Sequence, residues 1–207
     1  NVVSLLTTGQ GRWKRACGAI AVDAKGRLEA YGAENVIFGV GGPGGLYKTS
    51  VYPSVHTGAV GLAMMAGARS QSLPESQYGM ASIKFRWNVS GTFMQVVPRF
   101  ISTDAEGNDE QEFLRPYFAS LGEMNSMIFL KGYQWPFDPR KVVGGSSIVD
   151  ILVYVETVIK GRRVFLDFRT DPADFKIGDL NEEAHTYLQN SKALMATPIK
   201  RLQTMNP

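Results

Sequence analysis

Residues 35–68 read NVIFGVGGPGGLYKTSVYPSVHTGAVGLAMMAGA. The apolar run Val36, Ile37, Phe38 and Val40 is bounded by glycines, which predicts a buried parallel strand over 36–40. It empties into a loop holding Gly41, Gly42, Gly44 and Gly45, with Lys48 and Thr49 close behind. A glycine loop leaving a strand is a common way to bring backbone amides against a phosphate. The small residues from His56 to Ala68 then predict a buried, closely packed helix.

Gly39-Val40-Gly41-Gly42-Pro43-Gly44 satisfies G-x-G-x-x-G by spacing. The dinucleotide fingerprint also requires a helix opening at the third glycine and an acidic residue about 20 positions later. Here Gly44 leads into Gly45-Leu46-Tyr47, and no Asp or Glu lies between Asn35 and Pro74. A Gly-Lys-Ser/Thr phosphate loop is absent as well. Locally, a tight turn and an anion-binding loop both remain open.

On the N-terminal side, residues 2–8 and 16–24 are β-like runs around a Gly-Arg turn, so a hairpin is expected. A turn at Ala24-Lys25-Gly26 leads to a third short strand over Leu28–Tyr31. On the C-terminal side, strands are expected over Lys84–Val89, Thr92–Ser102 and Val164–Phe168. The acidic stretch 103–112 reads as a solvated hairpin tip, since an EF-hand order of ligands is absent. Phe113–Leu130 is helix-prone. Ser146–Ile159 carries Ile148, Ile151, Leu152, Val155, Val158 and Ile159 on one helical stripe, with Ser146 or Ser147 as cap and Gly161 as stop. Asp179 with Glu182 reads as a capping pair for a helix through Leu194. A last short helix is expected from Pro198.

The chain has 207 residues, 44% hydrophobic and 20% charged, which suits a globular protein with a real core. Its 22 basic and 19 acidic residues leave a net charge of +3 without any Lys/Arg block. No nucleic-acid partner is therefore expected. The single Cys17 fits a reducing, cytoplasmic setting. No apolar run approaches the ~18 residues of a transmembrane segment. Two distant histidines and one cysteine offer no zinc site, and no G-x-S-x-G elbow is present. Asn1 and Thr204-Met205-Asn206-Pro207 both read as cuts, so an internal piece of a longer protein is expected.

The order of motifs resembles the flavoprotein family of succinate dehydrogenase, fumarate reductase and aspartate oxidase. There a small antiparallel sheet precedes a strand ending in "ATGG", then a Gly-rich loop with Tyr, then a "TGDG" helix closing on "AGA". The matching residues here are Val36–Gly42, Gly44-Gly45-Leu46-Tyr47, Thr57-Gly58 and Ala66-Gly67-Ala68. Val164-Phe165-Leu166-Asp167-Phe168-Arg169 is similar to the family's "vyLDlR" strand. The likeness is strong over 16–68 and thin between 85 and 160.

This resemblance implies an α+β chain. A partial FAD-binding domain over 1–75 (small β-sheet, strand, Gly loop, helix) would be followed by a fumarate-reductase-like capping domain over 76–207. The strand–GxGxxG–helix that holds the FAD pyrophosphate would lie upstream of Asn1, and a further active-site segment beyond Pro207. The partners would be those remaining parts of the chain and a small-molecule substrate. FAD would lie along Gly41, Gly42, Gly44, Gly45, Thr49, His56, Thr57 and Gly58. Arg99 stands where the family's capping-domain arginine would fall and would act on substrate, its forked donors suiting a carboxylate. The family's substrate-binding His has no counterpart in Glu75–Ser82, and Ala59 stands near the acid of "TGDG". Both departures argue against succinate or fumarate as substrate.

Two function classes follow. In the first, the intact protein passes hydride between FAD and a small organic substrate, while these 207 residues alone are inactive and retain little or no FAD. In the second, the chain is a stand-alone α+β module that binds an anion or nucleotide through the 41–50 loop. A weaker third reading is an interaction domain using Trp135 and Phe137.

Overall fold

The computed structural model describes residues 1–42, 44, 56, 59–71, 79–84, 87–134 and 136–205. Over these residues the fold is α+β, with two three-stranded antiparallel sheets. The chain divides into two compact units, Asn1–Ser76 and Gln77–Pro207. Among the described residues, no helix is long and apolar enough to cross a membrane.

The first unit is built on a meander, β1 (Val2–Thr8), β2 (Arg15–Val22) and β3 (Leu28–Gly32). Alternating β-branched and small residues favour the strands, and the connections are set by local chemistry. Between β2 and β3 the Asp23 carboxylate accepts from the Lys25 and Arg27 amides at 2.7 and 2.9 Å, closing the turn. At the centre of β2, a Cβ on Gly18 would lie 2.0 Å from the Tyr31 carbonyl oxygen. Only glycine lets β3 approach this closely.

Two expectations for this unit need correction. Residues 36–40 form no strand, and Ile37 is 96% exposed. An apolar run is a parallel strand only when neighbours flank it on both edges, and the sheet here is wholly antiparallel. The helix expected over 56–68 is shorter, α1 (Val60–Met65), and none of its residues is buried. Among the described residues of this unit, only Gly18 and Gly44 are buried.

The second unit carries a sheet in the order β5–β4–β6, with β4 (Arg99–Thr103), β5 (Gln111–Glu112) and β6 (Arg163–Asp167). Around it lie α2 (Thr92–Gln95), α3 (Leu121–Leu130), α4 (Ser147–Tyr154), α5 (Glu182–Asn190) and α6 (Pro198–Met205). The core joins Phe100, Phe113, Ile128, Phe129, Val149 and Leu188, all nearly inaccessible. β4 and β5 form the hairpin expected at 103–112, and the Asp104 carboxylate accepts from the Asn108 amide across its tip.

Sequence reading expects a strand over Thr92–Ser102, but its first part is helical. The chain turns from α2 into β4 at Val97, a β-branched residue at φ 53. That left-handed conformation is costly and is held from outside. Arg201 of α6, 1% exposed, donates to the Val96 carbonyl at 3.1 Å, pairs with Asp171 at 2.6 Å and stacks on Phe175. Of the strand expected over Lys84–Val89, the described residues show a single bridge, Ala81 to Asn88.

The helix expected over Ser146–Ile159 also changes. α4 runs into a π-helical turn over Val155–Ile159. The buried positions are Ser147, Val149, Leu152 and Glu156, while Val158 and Ile159 are 59% and 68% exposed. The wider turn rotates everything after Tyr154, so the stripe read from sequence is not the one that packs. Ser146 precedes α4 but makes no side-chain cap; its hydroxyl donates to Gln134 instead. At α5 the cap is Asn181, whose side chain accepts from the Ala184 amide at 2.9 Å, and not Asp179.

Candidate functional site

The glycine segment of the first unit begins where the chain leaves β3. Gly41 has φ +75, and a Cβ there would stand 2.6–3.0 Å from three ring atoms of His56. The imidazole therefore lies directly over the Gly41 backbone, and the residue must be glycine on two counts, conformation and space. Gly42 follows, its carbonyl accepting from the amide of the buried Gly44 at 3.0 Å. Gly39 has open space where a side chain would stand. Gly45, Thr49, Thr57 and Gly58 lie outside the described residues, as does Lys48. The structure thus brings together Gly41 and His56, 15 positions apart by number, with no carboxylate in the intervening sequence to oppose an anion. Replacing Gly41 by alanine is expected to destabilise the first unit by about 1–2 kcal/mol. Urea unfolding followed by the amide exchange of β1–β3 would measure it, and an unchanged midpoint would refute the contact.

Arg99 lies on β4, and all three of its side-chain nitrogens are engaged. Nε donates to Glu112 at 2.7 Å, Nη1 to Asp167 at 2.8 Å and Nη2 to Glu110 at 3.0 Å. A substrate carboxylate at Arg99 would have to displace one of these partners. Asp167 in turn receives a bidentate pair from Arg169, at 2.8 and 2.9 Å. Those Arg169 hydrogen bonds, with the added charge of Arg99, hold the Asp167 carboxyl at about 2. Arg169 is 75% exposed and is the arginine of this cluster that faces solvent.

No family model matches the chain, and no curated protein or solved structure matches it.

Two buried charge clusters in the second unit were not singled out from sequence. Lys131, at the end of α3 and 1% exposed, pairs with Asp150 of α4 and donates to the Gln134 carbonyl at 3.0 Å. Burial pushes the lysine down and the aspartate up from their ordinary values. In the second cluster, Glu156 on the π turn accepts from Ser102 and Lys160, each at 2.7 Å, and lies 3.2 Å from Arg162. Arg162 also donates to Ser102 and Asp109. The available signal was Asp150 and Glu156 themselves, two acids inside the apolar run 148–159. A charge in such a run is either exposed or held by a partner. Among the described residues, no group of three or more His, Cys, Asp or Glu could hold a metal ion.

Proposed function

We propose that this chain is part of an FAD-dependent oxidoreductase of the succinate dehydrogenase, fumarate reductase and aspartate oxidase type. Residues 1–75 belong to its flavin-binding domain and 76–207 to its capping domain. The observation that carries this reading is the antiparallel meander β1–β3 running into a glycine segment whose Gly41 is folded under His56. It supports the small sheet and the glycine loop of the motif order on which the resemblance rests, though not its strand over 36–40. The residues present fit the group: exposed glycine backbone at Gly39 and Gly41, a histidine beside it, and no acid between Asn35 and Pro74.

FAD, when bound, supplies the hydride chemistry. The chain's own part is to present backbone amides and the His56 ring on one side and to exclude water from the substrate side. The missing histidine in Glu75–Ser82 points away from succinate and fumarate and toward a different small organic substrate.

The test is the flavin content of the protein encoded by the whole gene around this segment, compared with residues 1–207 alone. The reading expects stoichiometric FAD in the former and little or none in the latter. A colourless full-length protein, with no glycine fingerprint entering a helix upstream of Asn1, would sink it. Saturable binding of ATP or phosphate by residues 1–207 alone would favour the stand-alone module instead.

A further inference from the structure

Beside α5 in the second unit lies an open groove of about 690 Å³, lined chiefly by Tyr133, Tyr187, Glu182, Glu183 and Thr186. The rings of Tyr133 and Tyr187 meet at 86° with centroids 6.2 Å apart. The wholly buried Phe129 backs both, at 5.6 and 5.3 Å. The Tyr187 hydroxyl donates to the buried Gln95 at 3.1 Å, which fixes that wall. Tyr133 is 49% exposed, so the other wall faces the groove.

The charge of the groove is one-sided. The side chains of Glu182 and Glu183 enter no hydrogen bond or ion pair among the described residues, and no Lys, Arg or His lines the groove. Both acids sit in the first turn of α5, where the helix dipole favours them. That accounts for negative charge at this end of the helix, while packing on Phe129 sets the right-angled pair of phenol rings rigidly beside it. Aromatic faces attract organic cations through the ring quadrupole, and nearby carboxylates add to the attraction. A small inorganic cation would keep its water and gain little from the rings.

We propose that the Tyr133–Tyr187 corner, with Glu182 and Glu183 at its rim, binds the alkylammonium group of a small molecule. The ammonium sits against the two ring faces and its charge is met by the glutamates. This site is independent of the flavin reading.

The test is a titration of the full chain, carrying ¹³C-labelled tyrosine, with tetramethylammonium chloride. Tyr133→Phe assigns the Tyr133 signal and keeps the ring. Saturable shifts confined to Tyr133 and Tyr187 are expected, in the millimolar range. Glu183→Gln is expected to weaken binding about threefold, and Tyr133→Leu about fivefold or more. Equal shifts from sodium chloride or from the neutral, similarly sized tert-butyl alcohol would overturn the proposal. So would a linear response, or unchanged affinity in Glu183→Gln. That surface substitution keeps the test decisive even if Tyr133→Leu fails to fold.

Discussion

Replacing Asp150 by leucine is expected to lower the stability of the second unit by about 3–5 kcal/mol. Lys131 is 1% exposed, and without Asp150 its ammonium keeps, among the described residues, only the Gln134 carbonyl as an acceptor in the interior. A buried charge stripped of its partner costs far more than the pair contributes. Lys131→Met is expected to cost less, about 1–2 kcal/mol, because the Asp150 side chain is 13% exposed and sits in the first turn of α4. The double variant should lie near the parent, which corresponds to a coupling of about 4–7 kcal/mol between the two sites. The pH dependence of Asp150→Leu has a fixed sign. Burial depresses the Lys131 value below the ordinary 10.5. The folded state then favours the neutral amine, so the deficit should shrink as pH rises toward 10.5. Amide exchange of α3 and α4 in the full chain would read these effects. Equal costs for both single variants would show that the pair is not held as described.

Asp167→Asn is the second large effect, expected at roughly 2 kcal/mol near neutral pH. The Asp167 carboxyl is held at about 2 against an ordinary 3.8, by hydrogen bonds from Arg169 and by the charge of Arg99. Its stabilisation is therefore complete above 3.8 and is lost as pH falls through about 2. The variant and the parent should converge in acid. Part of the effect should also fade with added salt, since Arg169 is exposed, while the part owed to the less exposed Arg99 should persist. Acid titration of unfolding midpoints for the two proteins would decide it, and a gap that stays constant down to pH 2 would contradict the assignment.

The β1–β3 meander could be read from sequence because each strand and each turn carries its own local signal. β6 and α6 were readable for the same reason. Residues 36–40 were not, because an apolar run has no fixed structure until its neighbours are known. The helix at Thr92–Gln95 spans a single turn, too short for periodicity, and nothing in the letters of Val97 announces a positive φ. In α4 the π turn defeated the 3.6-residue stripe, although Asp150 and Glu156 within it hinted at buried partners. The candidate site was legible to the same degree. Gly41 and His56 each stood out, but their contact did not. Arg99 stood out as well, yet its partners Glu110, Glu112 and Asp167 lie 11, 13 and 68 positions away, and no spacing rule joins them.

The hold of Arg201 on the Val96 carbonyl spans 105 residues. At a synthesis rate of about 5–20 residues per second, the corner at Val96 and Val97 leaves the ribosome roughly 5–20 s before the arginine that completes it. Throughout that interval the corner is held only by its own local bonds, the Val96 and Val97 amides donating to the Thr92 and Met94 carbonyls, and lacks the long-range contact from Arg201. A chain cut short ahead of Arg201 would have to keep that corner without the guanidinium that joins the Val96 carbonyl to Asp171.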